Sequence, residues 1–210
     1  NLSKEFKNTQ DDAMQDLLEP IDDQIAWITG SQVCYCAEAF QGVSRQHPDA
    51  AALSVLATVL RNGFLHTAIR EKGGAYGAGA INDTATNTFK FFSYRDPKCS
   101  ETFSAFREAI EWSKTSITDQ HLEEAILGVV SSIDKPLSPV GEAKNDFNFN
   151  LEDISTKERL EMRQRVINCS IEDLIRVSEK YLTKPSKKSI LAGKAYSEEA
   201  SSLGLNLREV

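Results

Sequence analysis

The sequence predicts an α+β domain, a two-layer fold in which a largely antiparallel sheet is covered by helices. Three observations predict it. Residues Gln32 to Phe40 alternate with the two-residue period of a strand, whereas Leu53, Leu56, Val59 and Leu60 repeat at helical spacing. An aromatic strand pair, Ala75 to Asp83 and Thr88 to Tyr94, is joined by a short polar linker. The order is therefore strand, helices, strand pair, helices, strand, which places helices against one sheet rather than between parallel strands.

Each element follows from its residues. Asp11 to Leu18 has the pattern of a short helix ended by Pro20, and an apolar patch at Ile25, Trp27 and Ile28 is broken at Gly30. Residues 1–30 are read as a lead-in or linker and residues 31–210 as one domain. In the first strand Val33, Tyr35, Ala37 and Ala39 share one face, and Cys34, Cys36 and Phe40 the other. Both faces are largely apolar, so the strand is expected in the middle of the sheet. Residues 42–48 form a loop, and Pro48 opens a helix because its missing N–H has no partner in a first turn. Asn62-Gly63 predicts a kink or break. A second helical piece with Phe64, Leu65, Ala68 and Ile69 stops at Gly73-Gly74, where glycine adopts the left-handed conformation that closes a helix.

Three or four helices follow the hairpin. Ser100 to Ser113 carries Phe103, Phe106 and Ile110 on one stripe. Thr118 caps the next helix, whose stripe is Leu122, Ile126, Val129, Val130 and Ile133. Residues 136–141 are read as a break. Thr156 to Val166 and Ile171 to Tyr181 are helical, and Ser189 to Ala195 is a short last strand.

With 24 basic and 31 acidic residues, the 210-residue chain has a formal charge of -7, which argues against nucleic-acid and polybasic membrane binding. No apolar run reaches the ~18 residues of a membrane span. A chain of this length needs no disulfide or metal to hold a core. Cys34 and Cys36 lack the CxxC spacing of zinc and redox sites, and Cys99 and Cys169 stand alone. All four are expected as buried thiols, which mildly favours a reducing compartment. The start at Asn1-Leu2-Ser3 reads as a cut from something longer or a processed chain.

The three histidines, His47, His66 and His121, are scattered, and neither HExxH nor HxxEH occurs. His121-Leu122-Glu123-Glu124 stops one residue short of the inverted motif, because Ala125 stands where the second histidine belongs. A catalytic zinc needs three protein ligands, so zinc bound by this chain alone is not expected. The ordinary readings are a polar first-turn residue for His121 and a partly packed helix residue for His66. The run Gly73 to Gly79 follows a helix and precedes a strand. Phosphate loops run the other way, from strand to helix N-terminus. Glycines in the strand leave one face bare, which suits either close packing or the approach of a peptide backbone.

Residues 60–77, LRNGFLHTAIREKGGAYG, together with Ser93-Tyr94-Arg95-Asp96-Pro97, Ile133-Asp134-Lys135-Pro136 and the helices ending at Leu182, resemble a known pattern. It is that of the C-terminal half of pitrilysin/insulinase-family zinc metallopeptidases, in the presequence-protease branch, over about Ser31 to Ala195. The resemblance implies a metallopeptidase-half fold and a chamber built from two halves. Zinc and the Glu base then lie in the N-terminal half, and this chain holds no metal. It also implies that Arg70 and Tyr76 reach the active site, with Gly73, Gly74 and Gly77 beside the substrate. A guanidinium can grip a peptide carbonyl or carboxylate, and a phenol can donate to an oxyanion. The alternative roles are an Arg paired with a nearby acid and a packed Tyr.

Three functions follow from this reading. The first is the non-zinc domain of a peptidase that degrades unfolded peptides, inactive alone and partnered by its N-terminal half. The second is a catalytically inactive structural relative, and the third is a free-standing peptide-binding module. The cytoplasm or an organelle matrix is the favoured compartment. Surfaces that met the rest of the enzyme would favour self-association of the isolated chain.

Overall fold

The computed structural model describes residues 24–210; the helix read at Asp11 to Leu18 lies outside them. Six strands form one sheet in the order β3-β4-β2-β5-β1-β6. They are β1 Ile25–Thr29, β2 Tyr35–Gln41, β3 Gly77–Asp83, β4 Thr88–Tyr94, β5 Ser186–Gly193 and β6 Asn206–Glu209. The pairs β3/β4, β4/β2 and β2/β5 are antiparallel. The pairs β5/β1 and β1/β6 are parallel.

Two differences from the sequence reading concern this sheet. Residues 25–29, assigned to the lead-in, form β1, an interior strand between β5 and β6. Ala26 and Ile28 are buried on the core face, so the apolar patch before Gly30 belongs to the fold. The final strand is followed by a short helix and by β6, whose side chains are all exposed and therefore give no apolar pattern.

β2 lies inside the sheet, but the described residues cover only one of its faces. Cys36, Glu38 and Phe40 are buried, whereas Ala37 is exposed and Tyr35 and Ala39 are half-buried. The same face of the sheet is sealed by Phe89 and Phe91 of β4, Ala80 of β3 and Ile190 and Ala192 of β5. The opposite face presents Trp27, Tyr94 and Leu191 to solvent.

The covering helices are α1 Ala50–Leu60, α2 Ser100–Thr115, α3 Asp119–Ile133, α4 Pro139–Leu151, α5 Thr156–Ile167, α6 Ile171–Tyr181 and α7 Ser197–Ser202. α1 is the core helix. Nine of its eleven residues are buried, and it packs on β3 and against α3, α5 and α6. With the turns that follow, it spans Ala50–Glu71, long and apolar enough by composition to cross a membrane. Burial of α1 within the sheet-and-helix core gives that composition its ordinary cause.

The expected break at Asn62-Gly63 is a change of winding. From Arg61–Glu71 the helix continues in the wider π form, confirmed by the Lys72 N–H bond to the Thr67 carbonyl, 3.0 Å. Gly63 stands where the Trp112 ring comes so close that an added Cβ would lie 2.6 Å from it. α4 is a helix where the sequence suggested only a break. It begins with Ser138 accepting from Gly141 N and has Pro139 in its first turn, and it buries no residue.

Two buried carboxylates tie the layers together. Glu38 takes bonds from Arg107 and Ser186. Asp49 takes bonds of 2.7 Å each from Arg176, Lys180 and Tyr181, which fixes the start of α1 to α6. Burial alone raises the Asp49 pKa. The Lys180, Tyr181 and Arg176 bonds outweigh it and hold the carboxyl well below the usual carboxylate range. All four cysteines are free and buried.

Candidate active-site pocket

The π-wound helix ends at one edge of the sheet, and its end builds the site. Gly74 takes the left-handed conformation, φ +87°. Its N–H donates to the Arg70 carbonyl at 3.0 Å, and Ala75 N–H donates to the Ile69 carbonyl at 3.1 Å. A Cβ on Gly73 would lie 2.4 Å from the Ile69 carbonyl oxygen, so only glycine lets the chain fold back this tightly. Tyr76 N–H then donates to the Arg95 carbonyl at 3.3 Å, which joins the turn to the end of β4. Arg95 itself has a positive φ of 49°. Its neighbour Asp96 is buried and bridged to Cys34 by two backbone bonds, and its carboxylate takes a 2.6 Å bond from Thr102.

This turn opens onto a pocket of about 790 Å³ lined by Val33, His66, Arg70, Glu71, Gly74, Ala75, Tyr76 and Arg95. Arg70 and Tyr76 share it. Tyr76 is 70% exposed. Its ring is set edge-on against Tyr94 at 5.6 Å, and Tyr94 in turn against Tyr35 at 5.4 Å. Arg70 is exposed, and its Nη1 lies 2.7 Å from His66 Nε2. Among the described residues no acid pairs with Arg70, and the Tyr76 ring is not packed into the core. Gly73 and Gly74 form the turn, and beside Gly77 an added Cβ would meet nothing within 4 Å.

Sequence reasoning missed Tyr35, Tyr94, Arg95 and the His66 contact. Tyr94-Arg95 stood in a motif, but nothing local showed that it pairs with the turn after Arg70. The spacing of His66 and Arg70, four residues apart on a helix, was a legible signal. The other histidines have local duties. His47 Nδ1 accepts from Asp49 N–H at 3.0 Å. His121 completes a capping box with Thr118, matching its reading as a first-turn residue. Among the described residues no three of His, Cys, Asp and Glu gather as metal ligands.

The same fold occurs in a protease from Helicobacter pylori, with TM-score 0.69 and 19% identity over 80% of this chain and 43% of that one. It also occurs in pitrilysin, with TM-score 0.61 and 13% identity over 89% of this chain and 22% of that one. The sheet with its covering helices is thus a fold shared with pitrilysin-type peptidase domains. The model of the PreP C-terminal domain matches residues 30–191, and the chain belongs to that family, the presequence-protease branch of the pitrilysin group. The mitochondrial presequence protease of Eremothecium gossypii is 41% identical over 157 residues, 74% of this chain. That of Xenopus tropicalis is 40% identical over 152 residues, 72% of this chain. The chain spans 16% and 14% of the length of these two relatives.

Proposed function

We propose that this chain is the C-terminal, non-zinc domain of a zinc metallopeptidase that degrades unfolded peptides. It supplies Arg70 and Tyr76 to an active site whose zinc and Glu base lie in the N-terminal half. The observation that carries the reading is the joint placement of Arg70 and Tyr76 on one open pocket, where no acid among the described residues pairs with Arg70 and the Tyr76 ring is exposed. Arg70, always charged, offers a fork of donors to a peptide carbonyl or carboxylate. Tyr76 offers an O–H to the oxyanion that develops at a scissile carbonyl. Gly73 and Gly74 hold the turn that presents both groups, and the empty space beside Gly77 leaves room for substrate backbone.

The partners follow from the same reading. The uncovered sheet face, with Trp27, Tyr94 and Leu191, suits unfolded chain with apolar side chains. The exposed Val140, Phe147 and Leu151 of α4 and Leu127 of α3 suit the remainder of the enzyme, or self-association when the domain is alone. The named relatives are mitochondrial presequence proteases, which supports an organelle matrix as the compartment of the whole enzyme. Peptide hydrolysis and metal analysis, run in parallel on this chain and its parent, test the reading. The parent is expected to carry zinc and cleave, and the chain alone to carry none and be inert. A fragment that binds zinc and cleaves sinks the reading, and an inert parent favours the structural relative.

A further inference from the structure

We propose that His66 is the positioning residue for Arg70, a neutral imidazole in its Nδ1–H form that aims the guanidinium into the pocket. The inference rests on the reading of Arg70 as a substrate-gripping group. The tautomer follows from the contact itself. Arg70 Nη1 lies 2.7 Å from His66 Nε2. A guanidinium only donates, so Nε2 must present its lone pair and the ring proton must sit on Nδ1. Nδ1 lies 3.4 Å from Glu71 Oε1, and the nearby carboxylate favours a proton on that nitrogen. Glu71 is itself fixed, because Thr67 Oγ1 donates to its Oε2 at 3.0 Å.

The winding of the helix makes this chain of contacts possible. Residues four and five apart straddle one column of a π turn, so Arg70 and Glu71 both reach back to His66. In a tighter α turn Glu71 would rotate away from that column. The structure therefore gives the π segment a specific task at the site. Arg70 is exposed, and without a lateral hold its long side chain would sample many rotamers. An acceptor at 2.7 Å selects one.

Two experiments test the proposal. The first reads the ring directly, by imidazole nitrogen NMR on the 210-residue chain with His47→Gln and His121→Gln variants for assignment. The expected result is the Nδ1–H tautomer for His66, with its signals shifted in Arg70→Ala. The Nε2–H tautomer, or no response to Arg70→Ala, overturns the proposal whatever the peptidase does. The second uses the parent enzyme. His66→Ala is expected to lower kcat/KM about 1.5–5-fold, as for loss of one exposed polar contact. His66→Gln, which keeps an acceptor, restores most of it. Equal losses in both variants, or none in either, count against positioning. If Arg70→Ala leaves the parent fully active while the tautomer is as stated, the contact stands and the substrate-gripping reading fails.

Discussion

Alanine substitutions at the three glycines of the turn separate a conformational duty from a substrate one. At Gly73 the new methyl would lie 2.4 Å from the Ile69 carbonyl oxygen, a backbone atom that cannot swing aside. The chain must open there, which breaks the Gly74–Arg70 and Ala75–Ile69 bonds. Two net hydrogen bonds are worth about 2 kcal/mol together. At Gly74 there is space, since the nearest atom is Pro97 Cγ at 3.5 Å, but φ is +87°. A left-handed alanine costs about 1–2 kcal/mol. At Gly77 nothing lies within 4 Å, so Gly77→Ala should stay within about 0.5 kcal/mol of the parent sequence. For a domain of this size, each kcal/mol shifts Tm by about 2–4 °C. Thermal unfolding of the chain should therefore drop by about 4–8 °C for Gly73→Ala and be unchanged for Gly77→Ala. In the parent enzyme Gly77→Ala should instead raise KM, because the methyl enters space assigned to substrate. A Gly73→Ala variant as stable as the original, or a Gly77→Ala variant that destabilises as much as Gly73→Ala, would refute the reasoning.

Other consequences are testable in the same chain. Asp49→Asn should cost about 1–3 kcal/mol, discounted because Arg176 and Lys180 are half-exposed, as read by urea unfolding at neutral pH. Because the folded pKa of Asp49 is depressed, its contribution is fully present above the unfolded carboxyl value near ~4 and fades as pH falls below it. Asp49→Asn should lack that part of the acid loss; an identical acid slope in both proteins would contradict the pairing. Burial pushes the Cys169 thiol up to about 12, so iodoacetamide at pH 8 should label it only after unfolding. Rapid labelling of the folded chain would show that the site opens locally. Phe91 touches Phe40, Phe89 and Phe106 and is fully buried. Phe91→Ala should cost about 3–5 kcal/mol in chemical denaturation, and a loss under 1 kcal/mol would refute its central place.

The sequence carried the elements that bury a periodic face and little of what buries none. The strand pair, α2, α5 and α6 were legible because apolar residues recur at the spacing of the structure they adopt. α4 was not, since Asn148-Phe149-Asn150 alternates at a spacing of two and the helix buries no residue. β1 was hidden by its short length and by the nearby Gly30. Glu38 read as an ordinary polar strand residue, because its partner Arg107 lies 69 positions away. At the site, the turn glycines announced themselves through their residue type. The pairing of Arg70 and Tyr76 came from the family resemblance. The His66 contact depends on π winding, which has no reliable signature in sequence.

The central claim is that Tyr76 donates to the oxyanion of a scissile peptide bond. The direct measurement is kcat of Tyr76→Phe in the parent enzyme, with zinc content measured on the same sample. Loss of the hydroxyl should lower kcat by about 10²–10³-fold with zinc content unchanged, since one oxyanion donor is removed and the ring still packs on Tyr94. A Tyr76→Phe enzyme that holds its zinc and turns over at the original rate would contradict the account.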